Sequence, residues 1–486
     1  MSITTALGNA LSGLTVTARA GEVVSSNIAN VLTEGYARRE IELSSLSLGG
    51  TGTGVRAVGI ERVVNEVALA DRRIATADRG DADLRAAFLK RIEDAVGSTG
   101  DAGSIGSRIA ALEAALIGAS ARPDSSTRLA QALRAASDLA RTINAASDTV
   151  QAARTDADAA IASDVGRLND TLARIDELNT EITAWRAAGR DASALFDRRQ
   201  ALTDEVAHIL PIRVVERPHD QIAMFSTGGA TLVDGRASVF GFTPTDPIAA
   251  GMSLSGGPLS GLTLNGQPVG TAAGGLLGPG ALTANFALRD GLGPAAQTEL
   301  DALARDLYER FATSAVDPTL ASGAPGLFTD AGAAFLAANE EGLAGRLELN
   351  AAADPARGGA VWRLRDGLAA AAPGPVGDAT ILTALRDALA AERTVSSGSM
   401  TGTEKNLSGL AAGVLSDLSA GRLDAEADAA FSASRVSALT GLILADGVDS
   451  DAEMQKLLLI ERAYSANAQV MRTMDELIRQ LMGILR

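Results

Sequence analysis

Cysteine is absent from all 486 residues. That excludes disulfides, thiolate catalysis and cysteine-based metal sites. It also suits a chain that crosses a membrane unfolded without becoming cross-linked, although a plain cytosolic protein would satisfy the same count. Aromatic residues make up only 3% against 46% hydrophobic, so the apolar content is mostly alanine and leucine, which favours long helices packed side by side. No run approaches the ~20 apolar residues of a membrane span. No secretory leader is visible either: the first basic residue is Arg19, and no compact apolar stretch precedes a cleavage site. A protein of this kind that leaves its cell is expected to do so without a cleaved signal. Positive charge is scarce, with a net charge of −16. Basic residues occur at most in pairs such as Arg38–Arg39 and Arg72–Arg73, with no polybasic patch, and the net negative surface repels phosphate backbones.

Proline is missing from both ends. All 14 prolines lie between Pro123 and Pro375, so the termini are free to form long helices. The length allows two to four domains of ~100–200 residues each. Residues 4–30 read as a first helix with a narrow stripe of Leu7, Leu11, Leu14, Ala18, Gly21, Ser25 and Ile28 at 4-3 spacing. A loop is expected over 31–60, and helical patterns resume from about 61 to 96. A second helical block is expected from about 125 to 209. There Ile161, Val165, Leu168, Leu172, Ile175, Asn179, Ile182 and Trp185 keep heptad spacing, with a break at Gly189. Residues 211–290 change character: Ile212–Val215 and Ile222–Phe225 look like short strands. About a third of 226–280 is glycine or proline, the mark of a small β-rich unit with many turns. Helical patterns return at about 294–315 and 378–445.

The last helix has the cleanest pattern. Leu457, Ile460, Tyr464, Asn467, Met471, Met474, Ile478, Leu481 and Leu485 follow alternating steps of three and four. Ser450 and Glu453 read as a capping box, with Asp449 and Asp451 adding charge suited to a helix N-terminus. Asn467 interrupts an otherwise apolar seam, and a polar seam residue costs stability while fixing register or partner number. Narrow seams at both chain ends need a partner helix, and the opposite terminus or another subunit is the candidate.

A search for catalytic or cofactor chemistry returns little. His208 ends an apolar helix and reads as a packing residue, while His219 follows Pro218 in a turn without metal-ligand spacing. Gly49–Gly54 lacks the lysine of a phosphate loop and precedes a strand-like run, so it reads as a turn. Asp449, Asp451 and Glu453 lack the remaining ligands of a calcium loop. No enzyme activity, cofactor or metal is expected.

Residues 25–38 read SSNIANVLTEGYAR, preceded by Ser12-Gly13-Leu14. This resembles the N-terminal signature of the flagellar axial proteins, matching at Ser26, Asn27, Ile28, Ala29, Asn30, Thr33, Gly35, Tyr36 and Arg38. Ser26 stands where a first asparagine is common. In the residues themselves, Asn27 and Asn30 can bond backbone groups where the helix ends, Gly35 can supply a positive φ, and Tyr36 can plug an apolar site. Glu461-Arg462-Ala463-Tyr464, Ala466-Asn467-Ala468 and Met474-Asp475-Glu476-Leu477 resemble the closing helix of rod, hook and hook-associated proteins. Leu168-Asn169, Ile175, Leu178-Asn179, Ile182 and Leu195-Phe196-Asp197-Arg198-Arg199 are similar to the middle region of the hook-associated protein 1 family, as more weakly is Gly323–Phe328.

That resemblance implies a mainly α fold with a smaller β-rich insert: a discontinuous multi-domain axial protein with paired terminal coiled-coil helices, a long-helix bundle and an outer β domain. The expected units are 1–50 with 446–486, 51–210 with 294–445, and 211–293. It implies a non-catalytic subunit at the junction of hook and filament, exported through the flagellar type III apparatus to the cell exterior. Its termini would be disordered in the monomer and helical once assembled. Partners would be further copies of the chain, the hook protein, the second hook–filament junction protein and a cytoplasmic export chaperone on the C-terminal helix, with neither nucleic acid nor membrane insertion. The residues expected at the assembly interface are Leu7, Leu11, Leu14, Asn27, Ile28, Asn30, Gly35, Tyr36, Leu457, Ile460, Tyr464, Asn467, Met471, Met474, Ile478, Leu481 and Leu485. The alternatives are a hook or distal-rod protein and, from other classes, a cell-wall hydrolase or surface adhesin on an axial scaffold.

Overall fold

The computed structural model describes residues 3–33, 35–48, 51–98 and 100–484. Helix α1 (Ile3–Ala29) is followed by a long antiparallel hairpin, β1 (Arg38–Leu48) and β2 (Thr51–Val63). The loop expected over 31–60 is therefore a hairpin. Residues such as Ile41, Val55 and Ile60 pair across it. Of the Gly49–Gly54 stretch expected as a turn, Gly49 and Gly50 lie outside the described residues, and the remainder belongs to β2. Helix begins later than expected, at α2 (Glu66–Val96), where the Asn65 side chain accepts the Ala68 N–H at 3.0 Å. Helix α3 (Ile105–Ala121), not expected from the pattern, is capped by Ser104. Helix α4 (Ser126–Ala187) is capped by Ser125 and, at 62 residues, runs roughly 90 Å. Gly189 separates it from α5 (Ser193–Ile209).

The insert holds two small antiparallel sheets. One is β3 (Ile212–Arg217), β4 (Gln221–Ser226) and β5 (Thr231–Val233); the other is β6 (Phe240–Gly241), β7 (Leu262–Leu264) and β8 (Gln267–Val269). The chain returns through α6 (Ala281–Ala287) and α7 (Gly293–Phe311). An irregular stretch follows, with β9 (Phe328–Asp330), α8 (Leu343–Arg346), β10 (Leu347–Leu349) and α9 (Arg363–Asp366). The helical run expected over 378–445 is two helices, α10 (Thr380–Ala390) and α11 (Leu407–Ala445). They are parted by the short pair β11 (Arg393–Thr394) and β12 (Glu404–Lys405). Asn406 caps α11, and α12 (Ser450–Ile484) closes the described chain. The fold is mainly α with a smaller β-rich insert.

Helix α4 spans two cores. Its N-terminal half, through Leu129, Leu139, Ile143 and Val150, packs with α2, α3, α7 and α8, and α10 and α11 complete the same core from the far side of α3 and α7. Its C-terminal half, through Ile161, Leu168, Leu172 and Ile175, packs with α5, α6 and the β strands. The heptad stripe at 161–182 is thus buried against sheets and short helices, with no second long helix in its seam. Between the two cores sits a buried charge network. Arg289 and Asp158 are 0% and 1% exposed and 2.6 Å apart, and Arg154 donates to the Arg289, Ala249 and Met252 carbonyls. Helices α2 and α11 pair antiparallel, tied by Arg422 to Glu93 and by Arg435 to Asp78 at 3.5 Å.

Candidate assembly interface

The two chain ends lie against each other as an antiparallel pair. Gly13 of α1 faces Asn467 of α12, Gly21 faces Ile460, and Asn27 meets Glu453. At Gly13 the approach is close: a Cβ there would lie 2.7 Å from Asn467 Nδ2, so any side chain at this position requires the Asn467 tip to shift. Among the described residues Asn467 makes no polar bond across the pair. Its Nδ2 donates to Ala463 O on its own helix at 3.0 Å, and its bulk occupies the space glycine leaves.

Asn27 is fully buried and uses all its hydrogen-bonding capacity. Its Oδ1 accepts the Arg39 N–H and the Tyr36 hydroxyl, each at 2.9 Å. Its Nδ2 donates to Arg39 O at 2.9 Å and to Glu453 Oε2 at 3.0 Å. One amide therefore joins α1, the first residues of β1 and the first turn of α12. Gly35 makes the return possible with φ +77°. The Glu453 side chain is 1% exposed and holds Lys456 Nζ at 2.9 Å, and Lys456 also reaches Glu40 on β1 at 3.5 Å. The capping box expected from Ser450 and Glu453 does not form. Asp449 caps α12 instead, its Oδ1 accepting the Asp451 and Ala452 N–H groups at 2.9 and 3.2 Å. The Glu453 carboxylate is directed instead at Asn27 Nδ2 and Lys456 Nζ.

From this knot the hairpin is pinned to the middle of the molecule. Arg39 and Arg62 stand directly opposite each other across β1 and β2, and Asp197 on α5 takes both, at 2.8 Å each. Arg39 also lies over the Tyr36 ring, 4.8 Å from its centroid. Arg199, two residues on, is buried and donates to Asn179 Oδ1 at 2.9 Å and Asp220 O at 2.7 Å. Burial, then the neighbouring Arg62, pulls its guanidinium down to about 10.

The remaining expected residues divide clearly. Leu457, Ile460, Met471 and Met474 are half-buried, as are Leu7, Leu14, Ile28 and Asn30. Tyr464, Ile478 and Leu481 are exposed, and Leu11 is 56% exposed. Leu485 lies outside the described residues. The buried face of α1 runs instead through Ala10, Gly13, Val16, Val23, Val24 and Asn27. The stripe drawn from the leucines is rotated because α1 has two neighbours: α12 on one side and the hairpin on the other, where Val55 N donates to Ser12 Oγ at 3.3 Å. Close approach of both favours the small residues. Asn30 turns back on its own helix, donating to Ser26 O at 2.9 Å.

The backbone-bonding role read for Asn27 recurs at two positions where the pattern did not show it. Like Asn27 with Arg39, Asn169 exchanges two hydrogen bonds with the backbone of Phe240 at 2.8 and 2.9 Å, and Asn179 does so with Ile222 at 2.9 and 3.2 Å. Each asparagine docks a helix onto extended chain. An asparagine at a buried helical position, followed by a strand-like segment, is the signal that could have found them. His208 is exposed, contrary to its expected packing role. A cleft of about 720 Å³ lies between the hairpin, α2, α5 and β3–β4, lined by Arg62, Arg73, Arg186 and Arg199 among others. Those arginines are held by Asp197, Asp204, Asp220 and Asn179. Among the described residues no group of three or more acidic or histidine side chains is gathered as a metal site, and no helix is long and apolar enough to cross a membrane.

Comparison with known proteins gives three family matches. Residues 89–326 match the Flagellar hook-associated protein FlgK helical domain, 441–484 the Flagellar basal body rod FlgEFG protein C-terminal family, and 7–36 the Flagella basal body rod protein family. The chain is similar to Flagellar hook-associated protein 1 of Bacillus subtilis (strain 168), with 22% identity over 222 residues, covering 43% of this chain and 44% of that protein. The match thus spans less than half the length of that relative. The flagellar hook junction protein FlgK from Burkholderia pseudomallei aligns at a TM-score of 0.43 and 20% identity, over 54% of this chain and 46% of that one.

Proposed function

We propose that this chain, which belongs to the flagellar axial proteins and carries an FlgK-type helical domain between rod-type ends, is a non-catalytic structural subunit joining hook to filament. The observation that carries the reading is the antiparallel α1·α12 pair with apolar side chains left over. Leu11, Leu458, Leu459, Tyr464 and Leu481 remain exposed after the two helices have covered each other. Two helices with narrow seams are marginal in water. Sister copies packed around them would bury the rest, so ordering and assembly reinforce each other. In this reading 1–50 with 446–486 forms the inner tube, 51–210 with 294–445 the bundle, and 211–293 the outward β unit.

The partners are further copies of the chain, the hook protein and the second junction protein. A cytoplasmic chaperone covers the C-terminal helix until the chain is exported to the extracellular flagellum. The hook or distal-rod alternative is disfavoured by α3–α5 and α7, a helical mass unsuited to proteins that are mainly β outside their ends. No specific observation favours the hydrolase or adhesin alternatives. The test is deletion of the gene followed by electron microscopy. Intact hooks without filaments, with filament protein lost to the medium, are expected; normal filaments would refute the assignment.

A further inference from the structure

We propose that Asn27 and Glu453 form the register lock of the terminal helix pair, selecting one alignment of α12 along α1 from those its seven-residue repeat permits. The inference rests on the proposed function for its consequence in assembly, while the lock itself lies within one chain.

The need for a lock follows from the seam. Along α12, Leu457, Tyr464 and Met471 form one repeat and Ile460, Asn467 and Met474 the other, and all of these but the exposed Tyr464 are half-buried. Sliding α12 by seven residues, about 10 Å, exchanges apolar for apolar at most levels. Burial is non-directional and discriminates such slips poorly. Two levels differ. At one, Asn467 fills the space above Gly13. At the other, Asn27 meets Glu453.

The second contact is directional. The Asn27 amide cannot reverse, because Arg39 N must donate to Oδ1 and Arg39 O must accept from Nδ2. With Tyr36 on the remaining lone pair of Oδ1, one amide hydrogen is left, aimed at α12, and Glu453 is the acceptor that meets it. A slip of seven residues would present Ile460 there, leaving a buried donor unmet and moving a carboxylate off its site. The two pins stand 14 residues apart, roughly 21 Å along α12, so together they fix position and rotation. The arrangement follows the use of a single polar seam residue to specify alignment.

The absence of cysteine allows clean labelling. Spin labels at Arg19→Cys and Arg472→Cys, both exposed and axially offset, report slippage as a changed distance by pulsed electron paramagnetic resonance. The full chain is measured in solution and again bound to purified hooks, with binding scored separately by electron microscopy. The parent chain is expected to give one distance, above a broad background in solution and as the whole signal once bound to hooks. Asn27→Ala and Glu453→Ala are expected to add a second population displaced by about 10 Å, holding at least a fifth of the signal. Glu453→Gln keeps an acceptor oxygen and is expected to restore the single distance. The lock is overturned if both alanine variants keep the single distance. It is equally overturned if they give only a broad, featureless distribution, since the contact would then hold the pair together without aligning it, or if Glu453→Gln behaves as Glu453→Ala. Chains that show one distance yet do not bind hooks refute the junction role and leave the lock standing.

Discussion

Asp197 offers a sharp test of how the terminal unit is anchored. Its carboxylate takes Arg39 Nη2 at 2.8 Å, Arg62 Nε at 2.9 Å and Arg62 Nη2 at 2.8 Å, with the Ala37 N–H at 3.4 Å. Arg39 and Arg62 are direct cross-strand neighbours, and like charges in that position destabilise a hairpin. Asp197→Ala therefore removes the bonds and uncovers a repulsion. Hydrogen bonds to charged groups contribute about 1.5–3 kcal/mol each. The three side chains are each 16% exposed, so water makes up part of the loss, and a total of about 3 kcal/mol is the fair expectation. At 1.4 kcal/mol per factor of ten this is a roughly 100-fold larger population of the opened hairpin. Hydrogen exchange read by mass spectrometry on peptides covering β1 and β2 measures it, with α3 as the unaffected control. Asp197→Ala/Arg62→Ala removes the repulsion and should recover about 1 kcal/mol of the loss. A change under threefold in Asp197→Ala, or no recovery in the double variant, would refute the reasoning.

At Gly13, alanine should be nearly neutral, within about 1 kcal/mol, because the helix gains propensity while the flexible Asn467 tip yields. Leucine should cost about 1–3 kcal/mol by forcing the helices apart, read as lost exchange protection over 457–474. Arg289→Met should cost about 3–5 kcal/mol by stranding the buried Asp158 carboxylate. Arg289→Met/Asp158→Asn should recover at least about 2 kcal/mol of it, measured by urea unfolding followed by circular dichroism. Burial raises the Asp301 carboxyl from 3.8 to about 6 despite N–H bonds from Ala344 and Gly342 and a bond from Gln297. The folded state then holds a proton that the unfolded chain releases. The contribution is complete below about pH 4 and is lost as pH rises through 6, at most roughly 3 kcal/mol. Asp301→Asn should flatten that part of the stability–pH profile.

Legible in the sequence alone were the terminal helices, the long α4 and the β-rich insert, together with the need of each end helix for a partner, which the pattern left open between the opposite terminus and another subunit. These rest on proline placement and on the 3–4 spacing of apolar residues, which are local properties of the chain. Asn27, Gly35 and Tyr36 were legible as special positions because their side-chain chemistry and φ preference are intrinsic. What those residues touch was decided only by tertiary structure. The spacing of α1 pointed to its leucines, but two neighbours at close range buried Ala10, Gly13 and Val24 instead. Glu453 looked like a cap, and it serves as a buried acceptor because the fold brings Asn27 to it across more than 400 residues of chain. Likewise Asp197 acquires its task only when β1 and β2 set two arginines opposite each other. Periodicity carries information about which face is apolar, whereas the identity of a partner belongs to long-range packing, and no local pattern encodes it.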